Sequence, residues 1–137
     1  MATASATIEI SATADQVWQL MGGFDSLPNW LPLIVESSLS EGGRVRHLKT
    51  GDGAAIVERL QTFDNAARTY TYSIVQGPFP VTDYLAKVEV HEAANNKASV
   101  TWSGSFTPVG ISDAEAREIF GGVYQGGLGA LKANFPG

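Results

Sequence analysis

The chain has no cysteine, which excludes disulfides and thiolate metal sites outright. It has only two histidines, His47 and His91. Both fall at strand positions expected to face outward, and no His/carboxylate spacing suggests a metal. Basic residues are few: nine Lys and Arg against fourteen Asp and Glu, for a net charge of -5. They do not cluster beyond Arg44, Arg46 and Lys49, which argues against a nucleic-acid groove or an anionic membrane surface. No hydrophobic run approaches a membrane span, and Met1–Thr7 lacks the basic-then-apolar order of a signal peptide, so a cytoplasmic protein is expected. What is present is 44% hydrophobic residues in 137, enough for one domain, 1–137, with a single sizeable core.

The pattern along the chain is strand, helices, strands, helix. Thr7–Ala12 alternates as a first strand. Thr13 with Gln16 is a capping-box signature that opens a helix through about Met21, stopped by Gly22-Gly23. Ser26–Leu31, with Pro28 near its start, suggests a short second helix carrying Trp30. Strands are expected over 34–40, 43–50, 54–63, 68–75, 82–92 and 97–106, separated by turns at hairpin lengths, so neighbours pair antiparallel. In the last three strands the even positions are bulky, from Tyr70 and Tyr72 through Tyr84 and Val88 to Trp102 and Phe106, while the odd positions are mostly polar. That is a sheet with one buried face.

Ser112 and Glu115 make a second capping box, opening a C-terminal helix to about Asn134. Its stripe of Ala116, Ile119, Phe120, Val123, Gly127, Ala130 and Leu131 suits the inner face of the sheet. Five glycines, Gly121, Gly122, Gly126, Gly127 and Gly129, interrupt it at about 1 kcal/mol each relative to Ala. Either the helix approaches another backbone closely or part of it is soft enough to act as a lid.

The strand Ala54–Phe63 poses the central question. Ile56, Glu58, Leu60 and Thr62 share its inner face, which places a carboxylate among core residues. A three-residue turn at Gly51-Asp52-Gly53 sets Arg46 opposite Glu58 as its partner. Five-residue turns at Phe63–Ala67 and Gln76–Pro80 extend this to a row, Arg46–Glu58–Tyr72–Tyr84. Such a row fits either a satisfied buried ion pair or a mostly apolar cavity whose polar groups orient a ligand. Ser103 and Ser105 have no neighbouring base, and Gly126-Gly127-Leu128-Gly129 lacks dinucleotide spacing, so neither a nucleophile triad nor a cofactor is expected.

Several segments together resemble the START/Bet v 1-like superfamily, specifically its bacterial polyketide cyclase/dehydrase and lipid-transport (SRPBCC) group. They are Ala14–Trp18, Phe24-Asp25 through Trp30–Pro32, Arg46 ahead of Asp52-Gly53, Glu58–Leu60, Tyr70–Ile74, Pro78–Tyr84, Val100–Trp102, Phe106 and Gly127–Lys132. The resemblance implies an α+β helix-grip fold, a curved antiparallel sheet of about seven strands around the C-terminal helix, with a hydrophobic cavity between them. It also implies that Trp30, Arg46, Glu58, Leu60, Tyr72, Tyr84, Trp102 and Phe106 line that cavity. Tyr70, Phe120 and Tyr124 join the expected ligand contacts.

Three functions are compatible with these residues. The first is binding of a small hydrophobic or aromatic molecule, with Arg46 anchoring a carboxylate or phenolate. The second is a cofactor-free cyclase, dehydratase or isomerase, with Glu58 as general acid or base and Tyr72 or Arg46 stabilising an enolate-like oxygen. The third is a partner-binding or structural domain whose polar row is satisfied in the core. A monomer or homodimer without nucleic acid or a membrane span is expected in each case.

Overall fold

Strands form where bulky and polar residues alternate, and the computed structural model describes them within residues 1–136. In chain order they are β1 (Ala2–Ile10), β2 (Ile34–Ser40), β3 (Val45–Thr50), β4 (Ala55–Asp64), β5 (Thr69–Gln76), β6 (Val81–Ala93) and β7 (Lys97–Pro108). They make one seven-stranded antiparallel sheet in the order β1-β7-β6-β5-β4-β3-β2. Helices α1 (Ala14–Met21) and α2 (Leu27–Trp30) follow β1, and α3 (Asp113–Lys132) closes the chain against β1 and β7. This is the expected helix-grip arrangement.

Both expected capping boxes are present. Thr13 Oγ1 accepts from Gln16 N while Gln16 Oε1 accepts from Thr13 N, and Ser112 and Glu115 exchange the same two bonds. The parity reading also holds. Tyr70, Tyr72, Tyr84, Val88, Val100, Trp102 and Phe106 are buried between sheet and helices, and the intervening Thr and Ser residues face outward.

The first strand is longer at its start than the alternation of Thr7–Ala12 suggests, and ends at Ile10. Ala2, Ala4 and Ala6 point inward and pair with Phe106, Gly104 and Trp102 on β7. Their small side chains hide the alternation in the sequence, and they give α3 room to lie close. At Gly104 an added Cβ would overlap the Tyr124 hydroxyl, and at Gly127 it would lie 2.7 Å from Trp102 Cζ3 and 3.0 Å from Leu31 Cδ1. A Cβ at Gly121, Gly122, Gly126 or Gly129 would meet nothing within 4 Å. One glycine of the five in α3 therefore serves close packing, and the helix is continuous through all of them.

The turn between β3 and β4 forms as expected. Gly53 takes φ +90°, its N–H donates to Thr50 O at 3.0 Å, and Arg46 pairs with Glu58. Beyond Glu58 the expected register is wrong by two residues. Glu58 faces Ile74, and Tyr72 faces Leu60 on one side and Ala86 on the other, so Tyr84 is not opposite Tyr72. Two irregularities cause the slip. The turn to β5 is Asn65–Arg68, held by Ala67 N donating to Asp64 Oδ1 at 3.0 Å, and a bulge at Gln61 adds a residue to β4. The bulge also exchanges the faces: Thr62 turns outward to bond Thr71, and Phe63 turns inward, 6.4 Å from the Tyr70 ring. On β6, Asp83 at φ +53° sits in a second register shift, between Thr82 and Leu85.

Candidate functional site

Glu58 reaches the inner face from the centre of β4 and meets Arg46 from β3. Arg46 Nε donates to the carboxylate oxygen Oε1 at 2.8 Å, and Nη2 makes an ion-pair contact with the same oxygen at 2.6 Å. No protein donor reaches Oε2 among the described residues. Arg46 Nη1 donates to the Phe24 carbonyl at 3.2 Å and to the Tyr70 hydroxyl at 3.5 Å. Its guanidinium carbon also lies 4.2 Å from the ring centre of Phe24 and 4.8 Å from that of Tyr72. The cation is thus enclosed by aromatic faces and ties the segment after α1 to the sheet.

Burial works against both charges. It pushes the Glu58 carboxyl above the usual carboxylate range, and the Arg46 guanidinium opposes that shift. For Arg46 burial is outweighed by Glu58 and the neighbouring tyrosines, which hold its pKa above the ordinary value. The two directions disagree about how easily the pair ionises. The guanidinium 2.6 Å from the carboxyl oxygen opposes the effect of burial, and on that proximity we assign a charged pair at neutral pH.

The tyrosines form a second polar group. Trp102 Nε1 donates to the Tyr72 hydroxyl at 3.0 Å, and the Tyr84 and Tyr124 hydroxyls share a hydrogen bond of 2.5 Å. Burial raises the Tyr72, Tyr84 and Tyr124 phenols above their ordinary range, so all three remain protonated. Tyr124 on α3 fits over Gly104, which is why a side chain from the helix reaches a hydroxyl on β6.

Between these groups and α3 lies a cavity of about 40 Å³. Its walls include Arg46, Glu58, Tyr72, Tyr84, Trp102 and Phe120, all expected from the sequence. The other expected contacts are elsewhere. Tyr70 stands behind Arg46, Trp30 packs edge-on to Trp102, Phe106 and Tyr124 pack with Phe120, and Leu60 is only partly buried, beside the bulge. Trp30 Nε1 is buried without an acceptor. Sequence reasoning missed the apolar wall of Leu31, Ile34, Leu48, Ile56 and Ile74. Inward parity marked Ile56 and Ile74, and the helical stripe marked Val123, but nothing local marked Leu33 and Phe79; Leu33, Ile56, Phe79 and Val123 also border an open depression beside Pro32, Gly51, Asp52 and Pro78.

A space of this size holds about two or three waters, whereas sites for drug-sized ligands span roughly 300–1,000 Å³. The roomy cavity implied by the resemblance is not present in this structure. Among the described residues no cluster of His, Cys, Asp or Glu could hold a metal, and no helix is long and apolar enough to cross a membrane.

The fold is that of a helix-grip protein. Residues 1–136 match the family described as polyketide cyclase / dehydrase and lipid transport, and the chain belongs to it. No curated protein matches the sequence. Among solved structures it is similar to the protein XoxI from Bacillus cereus, with 52% identity over 98% of this chain and 96% of that one and a TM-score of 0.97. A Bacillus thuringiensis protein of uncharacterised function is also 52% identical, covering 98% of both chains with a TM-score of 0.96. The Zhui aromatase/cyclase from Streptomyces sp. R1128 shares the fold at 18% identity, with a TM-score of 0.78 over 96% of this chain and 92% of that one.

Proposed function

We propose that the protein binds a small, largely apolar or aromatic molecule with a polar end between the sheet and α3. The observation that carries this reading is the Arg46–Glu58 pair, which lines a space otherwise walled by Tyr72, Tyr84, Trp102, Phe120 and aliphatic residues and in which one carboxylate oxygen has no protein donor. A merely structural ion pair has no need of a free acceptor. The membership in a cyclase and lipid-transport family supports the same reading, and on it the ligand enters by displacing Leu33, Phe79 and Val123. A screen of apolar and aromatic metabolites should raise the melting temperature and quench Trp102 fluorescence. A screen that moves neither signal overturns the proposal.

A second reading has one specific observation in its favour. Glu58 Oε2 has no protein donor and would take a proton from a carbon next to a carbonyl, while the Tyr72 hydroxyl, which accepts from Trp102, keeps its own proton and would donate it to that carbonyl. This is an aldol-type cyclisation, dehydration or isomerisation without a cofactor. On any substrate found, Glu58→Gln should abolish turnover while leaving binding measurable, and full turnover in that variant removes this role.

A further inference from the structure

Arg46 would be the obvious anchor for an acidic ligand, yet its donors are already engaged. Of the five guanidinium N–H groups, one on Nε and one on Nη2 go to Glu58, and Nη1 serves the Phe24 carbonyl and the Tyr70 hydroxyl. The single N–H that remains cannot form the two-pronged grip that makes arginine a carboxylate receptor. The charge of Arg46 is likewise already balanced by Glu58. A ligand carboxylate in the cavity would therefore lie against Oε2, leaving a net buried negative charge, and like-charge juxtaposition of this kind costs several kcal/mol.

The groups left over have a definite complement. Oε2 offers an acceptor with no protein donor on it. Tyr72 already accepts from Trp102 Nε1, so its own O–H has a proton to give. In the Tyr84–Tyr124 pair one hydroxyl donates to the other, which leaves one O–H proton over. A ligand group facing this set has to donate once, accept at least once and carry no charge.

Resting on the binding function proposed above, we infer that the polar end of the ligand is an uncharged hydroxyl, an alcohol or a phenol, donating to Glu58 Oε2 and accepting from a tyrosine hydroxyl. Arg46 then acts as a positioning residue. It orients the carboxylate so that one oxygen faces the cavity, and does not itself hold the ligand.

Three probes of nearly the same apolar shape test this: naphthalene, 2-naphthol and 2-naphthoate, titrated at neutral pH with intrinsic tryptophan fluorescence and thermal stabilisation as readouts. The expected order is 2-naphthol tightest, naphthalene weaker, and 2-naphthoate at least about tenfold weaker than 2-naphthol. In the double variant Arg46→Met/Glu58→Leu, naphthalene should still bind while the advantage of 2-naphthol over it falls below about twofold, because the pair is exchanged for apolar groups of similar volume. Should the double variant not fold, Glu58→Gln carries the test, and its discrimination against 2-naphthoate should narrow. Tight 2-naphthoate binding, or a 2-naphthol advantage that survives loss of Glu58, overturns the inference. Naphthalene binding with no preference for 2-naphthol sinks the hydroxyl assignment while leaving the binding function standing. Silence from all three probes counts against both.

Discussion

Glu58→Leu should be among the most destabilising single changes in the inner face, and its cost follows from the geometry. The substitution keeps a side chain of similar length but strands the Arg46 cation, whose residue is only 1% exposed. The Nε hydrogen bond at 2.8 Å and the Nη2 contact at 2.6 Å both disappear. Breaking one side of a buried pair typically costs about 3–5 kcal/mol. The contacts to the Phe24 carbonyl and the rings of Phe24 and Tyr72 survive and hold the cation in place. Leucine burial returns about 1–2 kcal/mol, so a net loss of about 1–4 kcal/mol is expected. Arg46→Met strands Glu58 and also orphans the Phe24 carbonyl, which adds about 1 kcal/mol. The double variant removes both charges and should lie within about 2 kcal/mol of the wild type. Urea denaturation of the four proteins at pH 7 closes the cycle, with an expected coupling of at least about 2 kcal/mol. If each single change costs less than about 1 kcal/mol and the two simply add, the pair is not the buried, dry interaction described here.

Three other outcomes follow from the same coordinates. Gly122→Ala, Gly126→Ala and Gly129→Ala fill open space on a helix, so each should stabilise by about 0.5–1 kcal/mol in thermal unfolding, and together they should add. Gly104→Ala should instead cost about 1–3 kcal/mol by overpacking, and Tyr124→Phe should relieve part of that cost, since the tyrosine hydroxyl occupies the space. Tyr72, Tyr84 and Tyr124 have phenol pKa values raised above 10.0 in the folded state. Their contribution to stability is therefore fully present below pH 10 and is lost as the pH rises toward their folded values. An ultraviolet titration should show these three ionising together with the loss of near-ultraviolet circular dichroism, and smooth ionisation in the intact fold contradicts their burial.

The parts of this structure legible in the sequence are those set by local chemistry. Thr13/Gln16 and Ser112/Glu115 announce two helices because the cap is satisfied within four residues. Gly53 fixes the β3–β4 turn and, through it, the Arg46–Glu58 pairing. The alternation of aromatics and hydroxyls over β5 to β7 states which face is buried. The parts not legible depend on single extra residues or on distant packing. Nothing about Gln61 between Leu60 and Thr62 marks a bulge, yet it turns Thr62 outward and, together with the tighter Asn65–Arg68 turn, leaves Tyr72 two residues from its expected partner. Ala2, Ala4 and Ala6 are too small to declare a face, and only the approach of α3 explains them. The volume of the cavity was equally beyond reach, because Leu33, Phe79 and Val123 come from two loops and a helix whose juxtaposition no local pattern encodes.

The closed cavity and the buried pair bear on one another. Replacing a buried ion pair by apolar residues is often neutral or stabilising, so stability alone does not account for a charged group at the centre of the inner face. The pair is also asymmetric: every donor but one of Arg46 is engaged, whereas Glu58, which lines the cavity, keeps one oxygen without a protein donor. A structural pair would gain from using both oxygens, since a two-pronged contact is the stronger one. The side chains that border both the cavity and the outside depression are apolar: Leu33 and Phe79 on loops, Ile56 on β4 and Val123 on α3. Displacing them breaks dispersion contacts and exposes apolar surface, both of which an apolar ligand would restore on entering. The arrangement is therefore one in which the apolar body of a ligand offsets the cost of opening, and the free carboxylate oxygen selects what the ligand carries at its inner end.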